Sequence, residues 1–81
     1  MIGMKSNPVI DVLSLSMLTD SKEEMQISIF NQLGILMYRR IVSSAPGSSM
    51  LDIDVQHLSA GLYFLEARQG KNLALRTMLK S

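Results

Sequence analysis

The chain contains no cysteine and no tryptophan, and only two of its 81 residues are proline. Without cysteine, neither a disulfide nor a thiolate-bound metal can stabilise the fold. A domain of this length buries only about 60% of the surface that its unfolded chain exposes, so its stability is marginal without such cross-links. Stability must therefore come from a well-packed apolar core or from docking against another chain or domain.

The chain also lacks a strong charge of either sign and any long apolar run. A formal net charge of +1 argues against a nucleic-acid-binding role. No apolar run approaches the roughly 18 residues of a transmembrane helix, and Met1–Asn7 lacks the apolar core of a secretory signal peptide. We therefore expect either a cytosolic protein or part of a longer exported one. Residues 1–6 match no element pattern and are expected to be a cloning remnant or linker outside a single domain at 7–81.

Most of the sequence shows the two-residue alternation of β-strands, interrupted by turn residues. Leu51 and Ile53, for example, alternate with Asp52 and Asp54. Strands are predicted over 12–18, 25–30, 35–42, 51–55, 62–68 and 73–79, with a long and mobile loop at 43–49. The pattern predicts an all-β domain, an antiparallel two-sheet Ig-like β-sandwich of six to seven short strands. A barrel is the alternative fold.

Residue types that carry catalytic or metal chemistry are sparse and scattered. His57 is the only histidine, and no cysteine or nearby pair of acidic residues accompanies it, so it cannot build a metal site or a catalytic triad. Asp52 and Asp54 share a strand face, but a solvated face explains them better than a bound cation does. No serine lies in a nucleophile elbow and no glycine-rich phosphate loop is present. The sequence predicts no enzymatic activity, no metal and no cofactor.

Two corners between strands contain glycine. Gly34 and Gly61 are expected to supply positive φ angles where one strand ends and another begins. Tyr63 follows the second corner by two positions, where its hydroxyl can bond to the loop backbone as in the tyrosine corner of sandwich folds. From these residues alone, the chain is a binding or structural β-sandwich.

The last part of the chain is locally basic, because no acidic residue follows Glu66. The basic residues there are Arg68, Lys71, Arg76 and Lys80. One interpretation is a solvated strand whose charges protect a sheet edge. The other is a recognition strip for an acidic or polar receptor surface.

Four stretches of the chain, in order, resemble the C-terminal sorting domain of proteins exported by the type IX secretion system of Bacteroidetes. They are Asn7-Pro8-Val9 with Asp11-Val12-Leu13, Ile29 to Gly34, Leu58-Ser59-Ala60-Gly61-Leu62-Tyr63-Phe64, and the basic end from Arg76 to Ser81. The third, a Leu-x-x-Gly-x-Tyr motif, is the most specific. Phe30 and Asn31 depart from the more usual Tyr-Asp, and Ile35 stands where the family often has arginine.

The resemblance implies a domain attached behind an N-terminal cargo protein that crosses the periplasm. The outer-membrane translocon would then read the domain and a surface sortase would remove it, leaving the cargo at the cell surface or outside the cell. The implied recognition residues are Gly61, Tyr63, Arg76, Leu79, Lys80 and Ser81, and the implied structural motif residues are Asn7, Pro8, Leu33, Gly34 and Leu58. The cleaved bond would lie near or before Ser6.

Two other functions remain open from the sequence. A carbohydrate-binding or adhesive module would expose a flat surface of aromatic side chains. The chain has only four aromatic residues, which are few for such a surface. A dimerising domain would pair edge strands or exchange a strand between two copies, and such a homodimer is compatible with a sorting role. An enzyme is the least supported class.

Overall fold

The computed structural model describes residues 2–4, 8–20, 22–43 and 46–81. Within these ranges the fold is all-β, as the sequence predicts, and no helix is long and apolar enough to cross a membrane. The strands are β1 (Ile2–Met4), β2 (Val12–Thr19), β3 (Met25–Phe30), β4 (Leu36–Val42), β5 (Gly47–Asp54), β6 (Gly61–Gln69) and β7 (Asn72–Lys80).

The strands form two antiparallel sheets. The three-stranded sheet has the order β1-β2-β5, and the four-stranded sheet has the order β4-β3-β6-β7. In each sheet the alternating apolar residues point inward and meet the other sheet, which is the arrangement of a β-sandwich. The predicted two-sheet sandwich is therefore confirmed.

The core lies between the sheets and consists of aliphatic and methionine side chains together with the ring of Tyr63. Its most deeply buried members are Leu13, Leu15, Met25, Ile27, Ile29, Ile53, Leu65 and Met78. All of them lie at the alternate positions of their strands that point toward the other sheet, as the alternation in the sequence requires. Burial of a side chain of this size contributes roughly 1.5–3 kcal/mol. With no disulfide available, this layer is the main source of the fold's stability.

The amino-terminal segment differs from the expectation. Residues 1–6 were predicted to lie outside the fold, and for Ile2–Met4 this is wrong. These residues pair with β2 in the register Ile2↔Met17 to Met4↔Leu15, and the Ile2 side chain is buried against the core. A strand of three residues is too short to show a period of two, so the sequence carries no pattern for it.

The loop expected at 43–49 is shorter than predicted. Strand β5 begins at Gly47 because β2 extends to Thr19, which pairs with Gly47 across the sheet. The serines at the start of β5 give no apolar alternation, so the sequence places its start too late. Residues 44–45 lie outside the described part of the chain, and the predicted mobility of the loop stays a prediction there.

Candidate functional site

The candidate site is the hairpin that β6 and β7 form at one edge of the four-stranded sheet. The register runs without interruption from Gly61↔Lys80 to Gln69↔Asn72. A two-residue turn joins the strands, and its first residue, Gly70, has a φ of 57°. Turns of this length require positive φ, which glycine adopts without strain. The hairpin is thus a regular element whose two faces and free edge are well defined.

The corner that leads into the hairpin matches the prediction. Gly61 has a φ of 151°, and the Tyr63 hydroxyl donates a hydrogen bond of 2.8 Å to the Ser59 carbonyl. Leu58 is buried in the core and its amide donates to the Val55 carbonyl at 3.0 Å. The Leu-x-x-Gly-x-Tyr motif therefore closes one end of the sandwich through backbone conformation, one hydroxyl and one buried leucine.

The second glycine corner is held by Asn31. Its Oδ1 accepts hydrogen bonds from the amides of Leu33 and Ile35, both at 2.9 Å. Gly34 has a φ of 81°, and its amide donates to the Asn31 carbonyl at 3.0 Å. An aspartate accepts the same two bonds, so asparagine preserves the turn chemistry of the motif. Leu33 itself is 83% exposed, and its side chain projects away from the core.

The end of β7 is fastened to the segment that precedes β2. Val9 forms a parallel bridge with Lys80, in which the Val9 amide donates to the Leu79 carbonyl at 2.7 Å. The Ser81 amide donates back to the Val9 carbonyl at 2.8 Å, and the Val9 side chain is buried. Pro8 is exposed beside this bridge, and Asn7 lies outside the described residues. The first and last motifs of the sequence thus meet in space.

The two basic residues assigned to recognition are engaged within the molecule. Lys80 is only 8% exposed, and its Nζ donates to the Ser81 carbonyl oxygen at 2.9 Å. Arg76 is exposed, and its guanidinium donates to the Leu75 carbonyl at 2.8 Å and to the Ile2 carbonyl at 3.2 Å. Arg76 thereby links β7 to β1 across the gap between the two sheets. Both cations lie near the predicted site, but each donates to backbone carbonyls of the same domain.

The outward face of the four-stranded sheet has more apolar than polar side chains; its polar members are Gln26, Ser28, Arg39, Glu66, Arg68 and Thr77. The register places on this one face the side chains of Phe30, Leu36, Ile41, Leu62, Phe64, Leu73, Leu75 and Leu79, which we call the outer apolar face. Leu75 is 61% exposed and Phe64 is 41% exposed. Leu79 is the one member that the sequence analysis assigned to recognition, and it is exposed beside Leu62. In the sequence, these residues occupy the alternate positions of β6 and β7 that face solvent. Polar residues are expected there, but the chain has leucine and phenylalanine at most of them.

Sequence reasoning missed a buried polar contact at the turn end of the hairpin. Gln69 is 2% exposed, and its Nε2 donates to the Glu23 carbonyl at 2.8 Å. The Thr19 hydroxyl donates to Gln69 Oε1 at 2.7 Å. This amide joins the hairpin to the end of β2 and to the following turn. A glutamine beside a glycine turn looks like an exposed turn residue, so only the three-dimensional fold reveals its role.

The polar residues considered for metal chemistry are separated or already bonded. Asp52 accepts a hydrogen bond from the Ser14 hydroxyl at 2.8 Å, and Asp54 accepts one from the Gln56 amide at 3.0 Å. His57 is exposed in the turn that follows β5. Among the described residues, no group of three or more potential ligand side chains converges to hold a metal ion.

Comparison with known families gives one finding that bears on these features. The family model described as secretion system C-terminal sorting domain matches residues 6–81. Comparison with curated proteins gives no significant match. The matched range contains both glycine corners, the Val9 bridge and the complete hairpin, and it excludes β1.

Proposed function

Because this chain belongs to the family of secretion system C-terminal sorting domains, we propose that its folded β6–β7 hairpin is the part that the secretion machinery reads. The domain is a C-terminal type IX secretion sorting signal, which is joined to a cargo protein and directs its export toward the cell surface or the extracellular space. The observation that carries the assignment is the family match across 6–81.

We propose the finer steps from the resemblance and from the shape of the domain. The cargo crosses the periplasm, the outer-membrane type IX translocon binds the sorting domain, and a surface sortase removes it at a bond near or before Ser6. The proposal is supported by the rigid end of the molecule, where Leu79 and Ser81 are bonded to Val9. A receptor that binds this end meets one fixed arrangement and loses little conformational entropy on binding.

Sorting domains of this family are in general non-catalytic. We propose that this domain likewise has no catalytic chemistry of its own and acts by presenting a surface. The dispersed positions of His57, Asp52 and the tyrosines support this, since a nucleophile and its base must lie within hydrogen-bond reach.

We also propose that two copies can associate through edge strands. Strand β4 is an edge of the four-stranded sheet and β5 is an edge of the three-stranded sheet. An edge strand presents unpaired backbone groups to a second strand. Edge pairing is compatible with the sorting role, because β4 lies at the opposite edge of the sheet from β7.

A reporter fusion tests the sorting function. Residues 1–81 are placed behind a signal peptide and a fluorescent protein, in a type IX-competent bacterium and in a translocon-deficient strain. We expect surface or medium fluorescence in the first strain and periplasmic retention in the second. Periplasmic retention of an intact, folded fusion in both strains contradicts the proposal.

A further inference from the structure

We propose that the outer apolar face is the surface that docks on the secretion machinery, against an apolar and uncharged receptor surface. This inference rests on the proposed function and names the contact through which it operates. It assigns recognition to leucine and phenylalanine side chains of the hairpin rather than to its basic residues.

The first step of the argument is the contrast between the two outward faces of the sandwich. On the three-stranded sheet, Ser14, Ser16, Asp52 and Asp54 point outward together with three exposed apolar side chains, those of Val12, Leu18 and Met50. On the four-stranded sheet, the outer apolar face has eight apolar side chains. Large exposed apolar patches mark interaction sites on proteins. We therefore place the partner on the four-stranded sheet, which has the larger number of such side chains.

The second step concerns charge. Glu66 lies within the outer apolar face and pairs with Arg68 on the same strand at 3.5 Å. Arg39 stands across β3 from Glu66, so the charges on this face include both signs. Arg39 and Arg68 against Glu66 leave this face a net charge of +1, which gives only weak attraction to an anionic surface. Since Lys80 is buried and Arg76 bonds to carbonyls, the face offers a partner mainly the exposed area of its leucine and phenylalanine side chains.

The third step is size. The Cα extents of the molecule are 34 × 22 × 16 Å. A protein interface of standard size buries about 800 Å² on each partner. A sheet face of these dimensions is large enough for such an interface, and aromatic and leucine side chains at its centre suit a desolvated contact.

The test uses variants of the reporter fusion that differ only in the face they alter. Leu75→Lys and Leu75→Gln place a charged or a neutral polar group on the outer apolar face, near the middle of the edge strand β7. Met50→Lys is the matched control, because Met50 is 51% exposed, close to the 61% of Leu75, and lies outward on β5, an edge strand of the other sheet. We expect both Leu75 variants to lower surface fluorescence about tenfold, as truncation of a strongly contributing interface residue does to affinity. Met50→Lys is expected to export like the wild type.

The outcomes separate the possible failures. Failure of the wild-type fusion to be exported overturns the sorting function itself and this inference with it. Normal wild-type export with undiminished export of both Leu75 variants overturns the docking face alone. An equal loss for Leu75→Lys and Met50→Lys overturns it as well, because the effect is then not specific to one face. Loss for Leu75→Lys with full export of Leu75→Gln contradicts an apolar contact and indicates charge selection.

A second measurement decides whether another copy covers this face instead. Sedimentation velocity of the purified 81-residue chain and of the Leu75→Lys and Met50→Lys variants reports the oligomeric state. We expect all three to sediment as the same species. A wild-type dimer that dissociates with Leu75→Lys and persists with Met50→Lys identifies a second copy as the occupant and overturns docking on the machinery.

Discussion

At the scale of single residues, Tyr63 connects the sorting motif to stability through one hydrogen bond. Replacing it with phenylalanine removes the bond from the hydroxyl to the Ser59 carbonyl and keeps the ring. We expect Tyr63→Phe to lower the free energy of unfolding by about 0.5–1.5 kcal/mol, measured by urea denaturation followed by circular dichroism. Tyr38→Phe is the control, since the Tyr38 hydroxyl has no hydrogen bond to any residue in the described part of the chain. An equal effect of both variants contradicts a specific role for the corner.

Gly61 fixes the same corner through its backbone conformation. Its φ of 151° is one that side-chain-bearing residues rarely adopt, although a Cβ added there meets no atom within 4 Å. Strain, and not a clash, is therefore the expected effect of Gly61→Val, with a loss of about 1–3 kcal/mol in the free energy of unfolding. Ala60→Val adds a branched side chain at the neighbouring exposed residue, where φ is not positive. We expect that control to keep the wild-type urea midpoint.

At the scale of elements, the end of β7 supports a prediction about residues 79–81. Their removal deletes both backbone bonds to Val9 and the pairing of Lys80 with Gly61. We expect the truncated fusion to lose export while most of the fold persists, because the core strands β2, β3 and β6 keep their pairing. Export is measured by surface fluorescence and the fold by the strand signal in circular dichroism. Wild-type export of the truncated fusion contradicts a role for these residues in sorting.

The elements also show which features the sequence can predict. Alternation locates six of the seven strands and assigns Tyr63 and Leu65 to the core, because the period of two is a local property. The tyrosine corner is also predicted, since its partners are four residues apart. Contacts between distant segments are different: the Val9 bridge, the Gln69 amide and β1 depend on how the two sheets are placed. Local patterns carry no information on that placement, so these features appear only in the folded chain.

The burial of Lys80 is an intermediate case. It lies two positions after the core residue Met78, so the alternation itself assigns it to the inward side of β7. The charge of Lys80 favours an exposed position. In the structure the side chain nevertheless points inward, because its Nζ donates a hydrogen bond to the Ser81 carbonyl oxygen. The recognition role that the resemblance implies for Lys80, Gly61, Tyr63, Arg76 and Ser81 stays a prediction. The truncation tests it for the residues at the end of the chain, and the proposed apolar docking face opposes it for Lys80 and Arg76.

At the scale of the whole molecule, the four-stranded sheet has leucine side chains on both sides, and we expect only those of the inner side to support the fold. Leu65 is fully buried, whereas Leu75 on the adjacent strand points outward and is 61% exposed. We expect Leu65→Ala to lower the free energy of unfolding by about 2–5 kcal/mol, because it removes buried methyl groups and leaves a cavity. Leu75→Lys is expected to change it by less than about 0.5 kcal/mol. The ammonium group of the introduced lysine lies across from the Glu66 carboxylate, and this opposite-charge pair between neighbouring strands is favourable.

Urea denaturation of the two variants and the wild type, followed by circular dichroism, measures this difference. Met50→Lys serves again as the control, because it places the same charged group on the outward side of the other sheet. If Leu75→Lys destabilises the isolated domain as much as Leu65→Ala does, the outer leucines belong to the fold. If its stability matches that of Met50→Lys, the apolar side chains of this face have no role in the isolated domain. A loss of export by the same variant then reflects a lost contact with the secretion machinery and not an unfolded signal.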